Sequence, residues 1–274
     1  MDQPGSEGSG RAEEVARLRR QLAAWAAGIP HEVRFWDAWL ASRGLQWPED
    51  YARRMDPEAP LEPRAAALAA GLAREGRLRV LDVGAGPVTI LGYRLPGVAV
   101  SLTATDPLAP HYDAVLDRHG AAPPVRTRFA PAEDLRLFLP ADGFDLVHCR
   151  NALDHSFDPL RGIGQMLACA RVGGAVLLSH FEDEAEREGY AGLHQWNFTV
   201  RDGGRFVIWN REAGEIDVAS ALRCPCRIAC LAAGGGVEAV IEKTGPAPED
   251  PPGTAEARLA AYLEAFVGLL GRDA

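Results

Sequence analysis

The stretch Leu78-Arg79-Val80-Leu81-Asp82-Val83-Gly84-Ala85-Gly86-Pro87 decides the fold. A short apolar run ends at an acidic residue and breaks into a glycine turn. Strands buried on both faces of a sheet read as near-continuous apolar runs of this kind. Glycine at 84 and 86 permits backbone angles, and a closeness of approach, that a Cβ would block. The turn therefore belongs at the carboxyl end of a parallel strand, in the crevice where open α/β sheets bind their ligands. Asp82, at the close of that strand, is expected to set a carboxylate at the rim.

Downstream of this stretch the pattern alternates. Strands are predicted at 78–83, 98–105, 125–129, 144–149 and 175–181. Helices fall near 87–94, 110–119 and 159–171, with a short turn or helix around 133–138. Such alternation argues for a parallel sheet covered on both faces, and right-handed crossovers make it doubly wound. Two closing strands at 226–232 and 237–243 bring the mostly parallel α/β sheet to seven.

Upstream, residues 1–10 are polar and glycine-rich and are expected to be disordered. Val15, Leu18, Leu22 and Trp25 predict an amphipathic helix over 11–27, and Val33, Trp36, Trp39 and Leu40 a second over 31–43. With a third at 63–75 these form an N-terminal helical cap, residues 11–76. The core then runs over 77–244, with an inserted region at about 182–220. That insert carries an acidic helical stretch at 182–196 and a strand pair at 205–210 and 214–220. Residues 245–274 hold a Pro-rich linker and a last helix over 254–271, with Leu259, Leu263, Phe266 and Leu270 on one side. This helix suits either a homodimer contact or packing onto its own domain.

A net charge of -9 without a basic stripe argues against nucleic acid as a partner. No run of eighteen apolar residues exists, so no membrane span is expected. The N-terminus lacks the apolar core of a signal peptide, and the expected compartment is the cytoplasm. Cys149 and Cys169 fall in predicted strand and helix interiors. Cys224-Pro225-Cys226 with Cys230 has no histidine after it to complete a zinc site, so reduced cysteines acting as small hydrophobes are expected.

The acidic residue followed by Gly-x-Gly at 82–86 resembles the first motif of class I S-adenosylmethionine-dependent methyltransferases, with Val88 where a third glycine often stands. A dinucleotide G-x-G-x-x-G loop would need glycine at Thr89. Asp106 closes the second strand, 24 positions after Asp82, where a carboxylate can accept from both ribose hydroxyls. The following Pro107 equally suits a helix N-cap at Asp106. Ala130-Pro131-Ala132-Glu133-Asp134-Leu135 resembles the family's adenine-holding segment. Pro131 replaces the usual first acid there, which shifts the contact to Glu133, Asp134 or the Ala132 amide. Acids at this place also favour a helix N-terminus. Gly143-Phe144-Asp145-Leu146-Val147-His148-Cys149-Arg150-Asn151 resembles the family's fourth strand, and implies that Arg150 and Asn151 border the methionine part of the donor.

The resemblance covers about 78–181, including the Gly173-Gly174 turn. It implies a Rossmann-like methyltransferase core with S-adenosylmethionine as cofactor and S-adenosylhomocysteine as product. The implied binding set is Asp82, Gly84, Ala85, Gly86, Asp106, Pro107, Ala132, Glu133, Arg150, Asn151 and His155.

An oxygen or carbon acceptor needs a base, whereas a neutral amine needs only its lone pair exposed. His155 is a candidate base or cofactor contact, and His194 is the second catalytic candidate. The segments 180–184 and 190–198 mix aromatic and hydrogen-bonding groups, which suits a pocket for a polar small molecule. Glu182, His194, Gln195 and Trp196 are the expected substrate contacts. Asp154 and Asp183 alone make no metal cluster, and no metal is expected. The N-P-P-Y tetrapeptide of amino-directed nucleic-acid methyltransferases is absent. The expected activity is O- or N-methylation of a small molecule such as a sugar, an amino compound or a secondary-metabolite intermediate. The competing readings are an NAD(P)-dependent oxidoreductase and a non-catalytic methyltransferase-like binding or regulatory protein.

Overall fold

The computed structural model describes residues 6–270, with the side chains of 6–15, 17, 20, 24 and 265–270 outside that description. Five parallel strands form in the expected order: β1 (Arg77–Val83), β2 (Ala99–Asp106), β3 (Arg128–Phe129), β4 (Phe144–Arg150) and β5 (Ala170–Phe181). The third keeps only two of its expected residues, and Gly173-Gly174 lies within β5 at a shift of register against β4 rather than in a turn before it. Three more, β6 (Asn197–Arg201), β7 (Arg205–Asn210) and β8 (Gly214–Asp217), form a separate antiparallel sheet. Then β9 (Cys226–Ala233) and β10 (Gly236–Lys243) complete the main sheet in the order β3-β2-β1-β4-β5-β10-β9, with β10 antiparallel to β5. Strand order reverses between β1 and β4, and ligands bind open α/β sheets at such a switch point.

Alternation along β1 assigns its side chains to two cores. Leu78 and Val80 pack with Ala65 and Ala69 of α3 (Pro63–Leu72) on one face. Leu81 and Val83 pack with Ile163 and Met166 of α5 (Pro159–Cys169) on the other. Two-sided burial is the reason this strand reads as an unbroken apolar run.

The cap departs from expectation. One helix, α1 (Ser6–Ser42), replaces the two predicted, and it takes in residues 6–10 of the expected disordered tail; residues 1–5 lie outside the described residues. Pro30 removes one internal hydrogen bond but points to solvent, while the turns on either side of it are anchored. Trp25, Ala26 and Ile29 pack with Leu108 and Tyr112, and Trp39 and Leu40 pack with Val115 and Leu116. Leu108 precedes α4 (Ala109–Arg118), which carries the other three partners. A short α2 (Pro48–Met55) follows where only a connection was expected.

No helix forms at 87–94. The loop's polar backbone is claimed by the cap instead: Glu62 N donates to Leu91 O at 2.7 Å, Tyr93 N to Ala59 O at 2.8 Å, and Arg54 Nη1 to Val88 O at 3.0 Å. Buried backbone groups must be paired, and here that pairing excludes the helix.

The insert holds a strand trio rather than a pair, because Asn197-Phe198-Thr199-Val200 alternates and its Phe198 enters the main core. The acidic stretch at 182–196 keeps only one turn of helix, α6 (Glu184–Arg187), and a second one-turn helix, α7 (Val218–Ala221), ends the insert. At the C-terminus, α8 (Thr254–Leu270) packs back onto α1 through Ala261 and Tyr262, with Arg19 and Glu264 paired at 2.9 Å. The predicted apolar side is not the buried one, since Leu259 and Leu263 are exposed. Arg258 and Tyr262 instead turn inward to the buried Asp134. Phe266 and Leu270 fall among the side chains outside the description.

Candidate active site

A cavity of about 520 Å³ opens at the switch point, between the carboxyl ends of β1, β2 and β4 and the underside of α1. It lies within the size range of small-molecule sites, roughly 300–1,000 Å³. Its lining includes the 84–86 turn, Asp106, Pro107, Ala132, Glu133, Arg150 and Asn151. Glu32, Phe35, Phe181, Glu184, His155 and His194 also line it.

The glycine turn is shaped by its neighbours. Gly84 has φ +68°, and a Cβ there would lie 2.3 Å from Ala152 Cβ. At Gly86, φ is +63° and a Cβ would meet the Trp36 ring at 2.8 Å. Both positions thus need glycine, for their angles and for the closeness of the β4 loop and of α1.

Asp82 contributes to the cavity lining, as expected of a residue at the end of β1, but it is almost wholly buried, with His148 Nδ1 at 2.6 Å from Oδ1 and the Thr89 hydroxyl donating to Oδ2. Thr89 Oγ1 also accepts from Leu91 N at 3.0 Å, so Asp82 fixes the loop. Asp106 also lines the cavity. Its Oδ2 accepts from Gly86 N at 3.1 Å and its Oδ1 from Leu108 N at 2.8 Å. A carboxylate has about four acceptor positions, so each oxygen retains one for a ligand hydroxyl. Burial pushes the Asp106 carboxyl up to about 7, despite the two backbone donors.

Glu133 is buried on the cavity wall with Oε1 taking Phe157 N at 2.9 Å and Asp158 N at 3.3 Å, and burial pushes it up to about 7 as well. Asp134 leaves the site. It is held by Arg161 at 2.9 Å, by Arg258 and by Tyr262, beneath α8. Asn151 has φ +45° and accepts from Phe181 N at 3.2 Å, which ties the end of β4 to the end of β5.

Around His155 and His194, two distant segments meet. Gln195 N and Trp196 N both donate to Asp154 O, at 2.9 and 3.1 Å, which brings His194 beside the short turn Leu153–His155. His194 Nδ1 lies 2.7 Å from Asp154 Oδ2, and His155 Nε2 lies 3.3 Å from the same oxygen. Burial opposes the Asp154 charge, but the two imidazoles outweigh it and hold the carboxyl below its usual range. For His194 the Asp154 partner outweighs burial and raises its pKa. Burial pushes Glu184 up to about 7, reinforced by Asp154.

Three expected substrate contacts do not line this cavity. Glu182 accepts from Thr199 Oγ1 at 2.7 Å, Trp196 packs against the main core, and Gln195 contributes its backbone to Asp154. His180 is buried and stacked on Phe198, and burial lowers its pKa to about 4, which keeps it neutral. The sequence reading missed Glu32, Phe35, Trp36 and Arg54. Trp36 donates to Glu32 Oε1 at 2.8 Å, and the Arg54 guanidinium lies 5.7 Å from the Trp36 ring centre. An acid four residues before a tryptophan on a cap helix was the available signal, but the tryptophan was assigned wholly to the core.

Several solved structures resemble this chain at low identity. A Burkholderia thailandensis 1,6-didemethyltoxoflavin-N1-methyltransferase, bound to 1,6-didemethyltoxoflavin and S-adenosylhomocysteine, is 20% identical over 81% of this chain and 90% of its own, with a TM-score of 0.44. The CurJ carbon methyltransferase is 14% identical over 63% of this chain and 50% of its own, with a TM-score of 0.42. The T. thermophilus 16S rRNA methyltransferase RsmC, in complex with AdoMet and guanosine, is 15% identical over 69% and 41%, with a TM-score of 0.36. No curated protein matches the chain significantly. The family model described as a methyltransferase domain matches residues 51–213, which takes in β1 to β5 and the glycine turn. Spanning more than half of its length, that match makes this protein a member of the class I S-adenosylmethionine-dependent methyltransferases, enzymes whose methyl donor is S-adenosylmethionine.

Proposed function

We propose that the enzyme methylates an oxygen or nitrogen of a small polar acceptor held beneath α1. The observation that supports this reading is the single cavity that joins the glycine turn to an aromatic and acidic chamber under the cap. In this reading Asp106 takes the donor's ribose hydroxyls, Ala132 and Glu133 border its adenine, and the 84–86 turn with Arg150 and Asn151 borders its methionine part. When bound, the donor supplies an electrophilic methyl group on a sulfonium sulfur.

The chain's own residues then align and desolvate. Alignment of two bound reactants can supply roughly 7–11 kcal/mol of a barrier. Trp25, Trp36 and Leu193 give the cavity an apolar wall against which the reactants are desolvated. Glu32, Glu184 and Glu188 make the acceptor chamber acidic, which favours polar acceptors carrying hydroxyl or amino groups. His155 and His194 stand at that end, where they handle the acceptor's nucleophile.

The test uses methyl-labelled S-adenosylmethionine in parallel incubations with hydroxylated and amino-bearing small molecules, with total RNA and with denatured protein. Label in the low-molecular-weight fraction is expected. Label confined to RNA or protein would reject the small-molecule reading.

A further inference from the structure

We propose that Asp154, His155 and His194 form a binding site for one divalent first-row transition metal, with its open coordination position facing the acceptor chamber. The inference rests on the cavity reading above and adds a resident ion to it.

The geometry is that of a ligand set. Asp154 Oδ2, His155 Nε2 and His194 Nδ1 form a triangle with edges of 2.7, 3.1 and 3.3 Å. Metal bonds of about 2.0–2.2 Å to imidazole and carboxylate place such donors about 2.9 Å apart at right angles and about 3.4 Å apart at tetrahedral angles. The observed edges span that range to within about 0.2 Å. The two rings are 4.4 Å apart and nearly perpendicular, so their nitrogens converge on the carboxylate oxygen from different directions.

The surroundings also fit. Metal-bound histidines commonly give their second nitrogen to a carboxylate, and His155 Nδ1 lies 3.8 Å from Glu32 Oε2. Asp154 is 1% exposed, and its Oδ1 has no hydrogen-bond partner among the described residues. Glu184 adds a second such oxygen, Oε2, close enough to Asp154 and His194 to interact with both. A cation would compensate this excess of acceptors. Three protein ligands with the fourth position open is the arrangement of catalytic rather than structural metal sites. Both histidines line the cavity, so the open position is available to an acceptor oxygen or nitrogen. Two imidazoles and one carboxylate suit zinc, iron, cobalt or nickel better than magnesium or calcium.

The five cysteines are free, so the test must separate thiolate from imidazole ligation. Chelator-treated full-length enzyme is titrated with Co²⁺ and followed by visible absorption, with Zn²⁺ titrated by calorimetry in parallel. One equivalent per chain is expected, with d–d bands and no thiolate charge-transfer band. His155→Gln and His194→Ala should each weaken Co²⁺ binding at least tenfold, and the double variant should abolish it. S-adenosylhomocysteine binding is measured on every sample as a check on the fold and on the donor site. Metal-free enzyme that binds S-adenosylhomocysteine but takes up neither ion overturns the metal site and leaves the cavity reading intact. Thiolate-type spectra, or uptake unchanged in the double variant, also overturn it. Failure to bind S-adenosylhomocysteine alongside normal Co²⁺ uptake counts against the cavity reading alone.

Discussion

Where the donor is proposed to lie, the cavity wall comes from consecutive strand ends within residues 82–152, and its polar groups are fixed by backbone donors. Gly86 N and Leu108 N hold Asp106, and Phe157 N and Asp158 N hold Glu133. Where the acceptor is proposed to lie, the wall is assembled from α1, the turn after β4 and the loop around His194, and side-chain pairs hold much of it. Backbone-fixed groups keep their position whatever the neighbouring side chains are. Groups held by side chains can be re-aimed by one substitution. A family that keeps its donor and changes its acceptor is served by that division.

The comparison breaks most severely at Gly84. Gly84→Ala places a methyl group against Ala152 at a positive φ, so a loss of about 2–4 kcal/mol in unfolding free energy is expected. S-adenosylhomocysteine affinity should fall about a hundredfold or more by calorimetry. Normal affinity would show that the turn does not shape the donor end.

Next in size is Asp106→Ala. Above pH 7, where the Asp106 carboxyl is ionised, hydrogen bonds to it contribute about 1.5–3 kcal/mol, so affinity should drop roughly 10- to 150-fold. Unchanged affinity would remove Asp106 from the ribose role.

A subtler contrast lies in proton uptake. Asp106 and Glu133 both stand at about 7 in the folded chain, against ordinary carboxyl values of 3.8 and 4.5. Between about pH 4 and 7 the folded state therefore binds more protons than the unfolded state, and stability falls as pH rises through that window. Denaturant titrations from pH 4.5 to 7.5 should show that slope, and Asp106→Asn with Glu133→Gln should flatten it. A flat wild-type profile would mean that these carboxyls are not held protonated.

Phe35→Ala, at the acceptor end, carries the smallest expected effect. Phe35 is 39% exposed and reaches the glycine turn through its edge-on packing against Trp36, with ring centres 5.3 Å apart. S-adenosylhomocysteine affinity should stay within about twofold and stability within about 1 kcal/mol. A tenfold loss would join the two ends into one unit.

The same division explains what the sequence made legible. Strand ends carrying donor groups are local patterns: an apolar run, an acid, a turn. Asp106 and the 84–86 turn were readable because a few adjacent residues specify them. The Asp154–His194 pair is not local; its partners are 40 residues apart and meet through Gln195 and Trp196 amides. Composition alone assigned Gln195 and Trp196 to substrate, whereas their backbones serve the pairing and their side chains do not line the cavity. The helix expected at 87–94 failed for a related reason, since its periodicity could not reveal that cap groups already hold those carbonyls. On α8, Leu259 and Leu263 set the apolar stripe, yet the buried Asp134 draws Arg258 and Tyr262 inward.

That claimed loop bears on modularity. Arg53 and Arg54 of α2 donate to Ile90 and Val88 carbonyls, and the 59–62 segment supplies the rest of the pairing. A recombination point at residue 76 looks natural on paper, between helices and sheet. A chimera joined there would bring foreign helices to a donor loop that has lost its backbone partners. Transplanting acceptor preference between relatives therefore requires the crossover to lie upstream of α2, so that α1 is exchanged while α2, α3 and the loop they hold travel together.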